Sequence, residues 1–219
     1  MKRISIMNKS YELLNTITAS IGMILSYIGF IFLVILSNKY GTYWHVIWCS
    51  VYGITLMLLH TSSTLCHGVA SPNIKNKFLV MDRSCIYLLI AGTYTPIALI
   101  SLYGIFGFSI FSAIWILSIL GIFLTIKNIQ PFSNFQVFLC LSMGWVALIG
   151  IKQLVNTIDM NGIILMFIGG VFFTVGVFFL LWKNFRYSHA IWHLLVLGGC
   201  ICHYFTIIYY IIPYQKIIN

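Results

Sequence analysis

The chain has 219 residues, of which 61% are hydrophobic and only 7% charged, with a net charge of +9. Soluble globular proteins carry about a quarter of their residues charged, so this chain lacks the polar surface to coat itself in water, and a soluble domain is excluded. Its basic residues stand singly between apolar runs, which reads as the loop charge that orients membrane helices rather than as a nucleic-acid footprint.

A helix needs about 20 largely apolar residues to cross a bilayer. Seven runs qualify, at residues 17–37, 45–66, 84–102, 106–126, 135–151, 162–182 and 190–212. A count of six follows only if the short fifth run fails to cross. The expected fold is all-α: a single seven-helix integral membrane domain over residues 1–219, preceded by a cytoplasmic segment at 1–16. The basic start Met1-Lys2-Arg3 is followed by a first apolar run with no clear cleavage site, which reads as a retained span. The six cysteines form no C-x-x-C pair and mostly lie inside apolar runs, so no disulfide framework is expected.

In chain order, Met7–Asn15 carries Tyr11, Leu13 and Leu14 beside Lys9, Glu12 and Asn15, the pattern of a short amphipathic helix on the membrane surface. The second run opens near His45, expected at the interface, and closes with Ser63 and His67. Those two are four apart and share a helix face. His60 shares that face about 10 Å deeper. The third run opens on Asp82, one of three acidic residues with Glu12 and Asp159. It is interrupted at Pro96, whose freed carbonyl neighbouring helices can satisfy. The fourth and fifth runs are parted by Lys127–Asn134, which contains Pro131. The seventh opens on Ser188-His189-Ala190-Ile191-Trp192-His193. Two imidazoles one turn apart can grip a metal ion together, and ionisable groups at the end of a span mark function. His203 lies about 15 Å further along the same helix, where a bonded core histidine or a cavity-lining one is expected.

Loop charges choose the direction. With seven spans, one side receives nine Lys and Arg residues and the other three. The positive-inside rule then places the N-terminus in the cytoplasm and the C-terminus outside. His67, Asp82 and the pair His189/His193 thereby arrive from three helices at one depth of the inner leaflet. Three neutral imidazoles and one oxygen make a four-coordinate zinc site, and catalytic zinc commonly keeps water in the open position, with its pKa lowered to about 7. Asp82 would take that water's proton, hold the water by a hydrogen bond, or bind the metal directly. Ser63 would orient a ligand, hold the water or steady an oxyanion. Cys66 and Cys85 lie near enough to offer thiolates, although His67 and Asp82 suffice.

Ser63-Thr64-Leu65-Cys66-His67, Asp82-Arg83-Ser84 with Ala91-Gly92-Thr93-Tyr94-Thr95-Pro96, and Tyr187-Ser188-His189-Ala190-Ile191-Trp192-His193 together resemble the haemolysin III proteins. These are the bacterial branch of the progestin and adipoQ receptor family, which includes the adiponectin receptors. The resemblance runs from Glu12 to about Tyr209. It implies seven helices, an N-terminus inside and a zinc ion near the cytoplasmic face. His67, His189 and His193 would be its ligands, with Asp82 holding the water and Ser63 supporting the site. One departure stands out. Glu12-x-x-Asn15 is followed by Thr18-Ala19, where many bacterial members carry Thr-His, so the first segment is expected to contribute little.

The related receptors resemble lipid amide hydrolases, and the alkaline ceramidases share the same motifs. The expected function is therefore zinc-dependent hydrolysis of a lipid amide or ester in a bacterial inner membrane, with a membrane lipid as substrate. A pore-forming or cytolytic protein is the alternative, against which the lack of charge at mid-membrane counts. Another is a non-enzymatic membrane sensor with structural zinc. A transporter comes last, for want of repeats and intramembrane charge.

Overall fold

The computed structural model describes residues 2–127, 134–182 and 184–213, with side chains from Tyr11 onward. Pro131, Lys183 and Lys216, and the side chains of Lys2, Arg3 and Lys9, lie outside that description. Among the described residues there is no strand, and seven helical spans are long and apolar enough to cross a membrane. They run Tyr11–Tyr40, Tyr43–Gly68, Pro72–Leu102, Gly104–Lys127, Asn134–Thr157, Met160–Leu181 and Ser188–Ile211. The chain is an all-α, multi-pass membrane protein.

Most spans extend past the apolar run that announced them, because the i to i−4 hydrogen-bond ladder continues where hydrophobicity stops. Helix α1 (Lys2–Tyr40) is continuous, so no separate surface helix precedes the first span. Helix α2 (Tyr43–Gly68) is capped by Thr42, whose hydroxyl and backbone N–H both meet Nδ1 of His45. His45 is thus buried at a helix start rather than solvated at an interface. Helix α3 (Pro72–Pro96) opens with proline in its first turn, where the missing N–H costs nothing. Lys75 and Lys77 therefore ride on the helix and not on a loop. Asp82 sits ten residues inside α3 instead of opening the span.

Two spans are irregular. The third passes Pro96 and continues as a π-helical stretch, Ile97–Leu102. It ends where Tyr103 and Gly104 both take positive φ, 26° and 62°. The fourth is α4 (Gly104–Lys127). The fifth breaks into α5 (Asn134–Gly144), a 3₁₀ turn (Val146–Gly150) and α6 (Ile151–Thr157). A broken helix in a bilayer must satisfy its freed backbone groups inside the protein. Tyr94 does this: its hydroxyl donates to the Gly144 carbonyl at 2.9 Å and accepts the Ala147 N–H at 2.7 Å. The Gln153 amide reaches the Leu102 carbonyl at the end of the third span.

Helix α3 is the centre of the bundle. Of its most apolar stretch 72% is buried, against 22% for α1, whose Ile24, Ile28, Ile31 and Ile35 face outward. Helices α1, α2 and α3 lie side by side, and α7 (Met160–Leu181) packs on α8 (Ser188–Thr206). Close approach of α2 and α3 depends on Gly92, where any side chain would collide with Thr55. The seventh span closes the bundle by setting α8 against α1, which carries its N-terminal turn to the end of α2.

Candidate metal site

Three helices contribute to one polar pocket at one end of the bundle. His67 is the penultimate residue of α2, and His189 is the second residue of α8. His193 follows one turn later, so both α8 rings project from one face. The three ring centroids lie 4.8, 5.0 and 4.6 Å apart. Their nearest ligand nitrogens all fall within 4.8 Å of one another, and the Nε2 atoms of His67 and His189 are 3.0 Å apart. His193 is buried and the other two partly so.

Fixed hydrogen-bond partners decide which nitrogen of two rings is free. Nδ1 of His67 faces Oε2 of Glu12 at 3.0 Å. Nδ1 of His193 faces the Asn15 carbonyl at 3.2 Å and the Thr18 hydroxyl at 3.0 Å. An ionised carboxylate and a carbonyl only accept, so each Nδ1 carries the proton and donates it. Each Nε2 is left with a lone pair directed into the pocket. This is the outer-shell arrangement that fixes tautomer and ring orientation in metal sites.

The donor set fits a transition-metal ion. Metal–nitrogen bonds of about 2.0–2.1 Å in a tetrahedron put neighbouring nitrogens about 3.4 Å apart. Separations here start at 3.0 Å and end within 4.8 Å, bracketing that value. Imidazole suits zinc, copper, iron and nickel alike, so the triad can hold a metal ion without naming it. Among the described residues no cysteine belongs to the group: Cys66 and Cys85 are buried beside it but outside it.

Ser63 and Asp82 lie beside the triad. The Ser63 hydroxyl is 3.4 Å from Nε2 of His193. Asp82 is outside the three-nitrogen group and lines the same cavity as Ser63 and His193. Ser63, Asp82 and His193 form the polar mouth of a cavity of about 130 Å³ that runs into the bundle between apolar walls such as Ile86, Leu89, Phe173 and Val196. His60 and His203 line its deeper part.

The first segment contributes more than its missing histidine suggests. Glu12, Asn15 and Thr18, spaced three apart on α1, hold His67 and His193 in place. Lys75 of α3 pairs with the other oxygen of Glu12 at 2.9 Å. Ala19, standing where the histidine is absent, lines the cavity wall. The available signal was the scarcity of acid: with three carboxylates in the whole chain, one just before a span has work to do.

A family model described as "Haemolysin-III related" matches residues 7–204. Hemolysin-3 of Bacillus cereus is 40% identical over 202 residues, covering 92% of each chain. The Hemolysin-3 homolog of Bacillus subtilis (strain 168) is 38% identical over 199 residues, covering 91% of this chain and 93% of its own. The Monocyte to macrophage differentiation factor of Homo sapiens is 26% identical over 170 residues, covering 75% of this chain and 70% of its own. With seven membrane-crossing helices, a histidine triad held by its outer shell and matches that run nearly end to end, the chain belongs to the haemolysin-III related family.

Proposed function

We propose that this protein is a zinc-dependent hydrolase that cleaves an amide or ester bond of a membrane lipid at the cytoplasmic face of a bacterial inner membrane. One observation carries the reading: three imidazoles, two with their lone pairs turned inward, stand together, and one of them, His193, lines an apolar cavity with Asp82 and Ser63. Zinc, when bound, supplies Lewis acidity and a nucleophile usable at neutral pH. The chain's own residues do the rest. The apolar cavity takes the lipid chain and excludes bulk water from it. Asp82 accepts a proton from the attacking water and returns it to the leaving group. Ser63 stands 3.4 Å from Nε2 of His193, on the cavity that Asp82 also lines. Once Nε2 of His193 is occupied by a cation, the Ser63 hydroxyl is left to donate to Asp82 or to a developing oxyanion. The cytoplasmic assignment rests on the basic residues at the site end, among them Lys75, Lys77, Arg83, Lys127 and Arg186.

Zinc-loaded protein in lipid nanodiscs is expected to release fatty acid from a long-chain N-acyl amide or ester, and His193→Ala to abolish release while the fold persists. Release that survives in a folded His193→Ala protein would refute the hydrolase.

A second reading has one observation in its favour. The triad joins α2 to α8, and Glu12 adds α1, so a metal there also clamps three helices. In that reading the metal is structural and the protein reports on membrane state, and no lipid is turned over at any metal loading. A pore, which the names of the Bacillus relatives bring to mind, has less support: among the described residues the charged groups deepest in a span are Asp82 and Arg83, one acid and one base on a single helix, which make no ring of charge to conduct through.

A further inference from the structure

The deep part of the cavity contains two polar atoms that the proposed chemistry does not use. His60 of α2 is buried, and its Nε2 has no hydrogen-bond partner among the described residues. The same holds for the buried Nδ1 of His203 on α8. Both residues line the cavity whose mouth is Ser63, Asp82 and His193.

Each ring packs edge-on against a glycine. The Cγ–Nδ1–Cε1 edge of His60 lies against Gly22 of α1, so closely that a side chain at that glycine would collide with it. Its Nε2 is on the opposite side of the ring. The Cδ2–Nε2 edge of His203 lies against Gly169 of α7, where an added Cβ would stand 2.6 Å from Cδ2. Its ring also stacks on Phe173, with centroids 5.6 Å apart. Again the unpartnered nitrogen is turned from the glycine. Two close glycine contacts thus seat two imidazoles, each with one buried unpartnered nitrogen, in a cavity whose walls are mostly apolar, with Thr93, Tyr94 and Thr174 among them. Buried polar groups are nearly always hydrogen-bonded, and the partner has to come from what occupies the cavity.

We propose that His60 and His203 form a second polar subsite that selects a lipid chain bearing a hydroxyl group over a plain hydrocarbon chain. A hydroxyl both donates and accepts, so it satisfies either tautomer of either ring. An ammonium group, which only donates, or a ketone, which only accepts, would satisfy only one. Depth along the helices sets the register: His60 is one turn beyond Ser63, about 5 Å, and His203 is ten residues beyond His193, about 15 Å. A chain whose carboxyl or amide end sits at the cavity mouth would bring a hydroxyl near its head to His60, and one in its distal half to His203. The proposal rests on the reading of the cavity as a lipid site and deepens it.

The test measures binding, not turnover. Zinc-loaded protein in detergent micelles is titrated with octadecanoic, 3-hydroxyoctadecanoic and 12-hydroxyoctadecanoic acids against a fluorescent fatty acid. Each hydroxylated acid is expected to bind about tenfold tighter than the plain one, the effect of one buried hydrogen bond. His203→Phe should remove the advantage of the 12-hydroxy acid, leave the plain acid unchanged, and keep the zinc content that certifies the fold. His60→Phe should do the same for the 3-hydroxy acid. His203→Gln, which keeps a polar group, should recover part of the 12-hydroxy preference. Equal affinities in the unaltered protein would overturn the subsite, as would a preference that persists in both phenylalanine variants. The two proposals fail separately. Fatty-acid release without any hydroxyl preference sinks the subsite alone. A hydroxyl preference in a protein that never releases fatty acid sinks the hydrolase alone.

Discussion

At the scale of single residues, the site depends on hydrogen bonds that set tautomers. Glu12 accepts the proton-bearing Nδ1 of His67 and is itself held by Lys75. Replacing such an outer-shell partner typically weakens metal binding about 10–100-fold. Glu12→Gln is expected to fall in that range in competition with a chromogenic chelator, and Glu12→Ala to fall at least as far. An unchanged zinc affinity in both would mean that His67 needs no help from α1. The cost of removing a ligand is of a different kind, since His193→Ala takes away one of three nitrogens and should leave no stoichiometric metal at all.

At the scale of elements, the broken fifth span is the most exposed to a single substitution. Tyr94 satisfies the Gly144 carbonyl and the Ala147 N–H at once. In a bilayer there is no water to replace its hydroxyl. Tyr94→Phe leaves two backbone groups unpaired beside a packed ring, and a loss of about 2–4 kcal/mol is expected from two such groups. Reversible unfolding in mixed micelles would measure it. A loss under half a kilocalorie would show that the break is satisfied some other way. The element scale is also where sequence reading went astray. Apolar runs put the start of the third span at Ser84, yet the helix begins at Pro72. The polar turns Asn73 to Lys77 satisfy their hydrogen bonds as readily as apolar ones, so periodicity and hydropathy say nothing about where the ladder starts. For the same reason the first segment looked like a separate surface helix when it is the opening of α1.

At the scale of the whole molecule, the histidine triad closes the bundle. The first, second and seventh spans meet at Glu12, His67 and His189/His193. A ligand that binds only the folded state raises its stability in proportion to the logarithm of its concentration over its dissociation constant. Chelation is therefore expected to lower the melting temperature of the zinc-loaded protein by several degrees, and to leave that of a His189→Ala/His193→Ala protein unmoved. Equal shifts in both would assign the effect to the chelator. Orientation is the other whole-molecule question. Nine of twelve basic residues fall on the side of the site, which predicts that a cysteine introduced at Asn76 is labelled by an impermeant maleimide only after cells are opened. Labelling in intact cells would reverse the topology and put the site outside.

Much of this protein was determined by its sequence alone. Seven apolar runs fix seven crossings, because a bilayer tolerates little else. Ser63, His67, Asp82, His189 and His193 announce themselves as polar groups at span ends, where hydration must be surrendered for a reason. What only the tertiary structure decided is how residues remote in the chain share their protons. Glu12 lies 55 positions from His67, and Asn15 lies 178 from His193. Helical spacing relates residues within one element, but it carries no information about which turn of α1 faces which turn of α2 or α8. That follows from side-chain packing along the full length of the bundle, and it is packing that turns two lone pairs inward and leaves two deeper imidazoles without a partner.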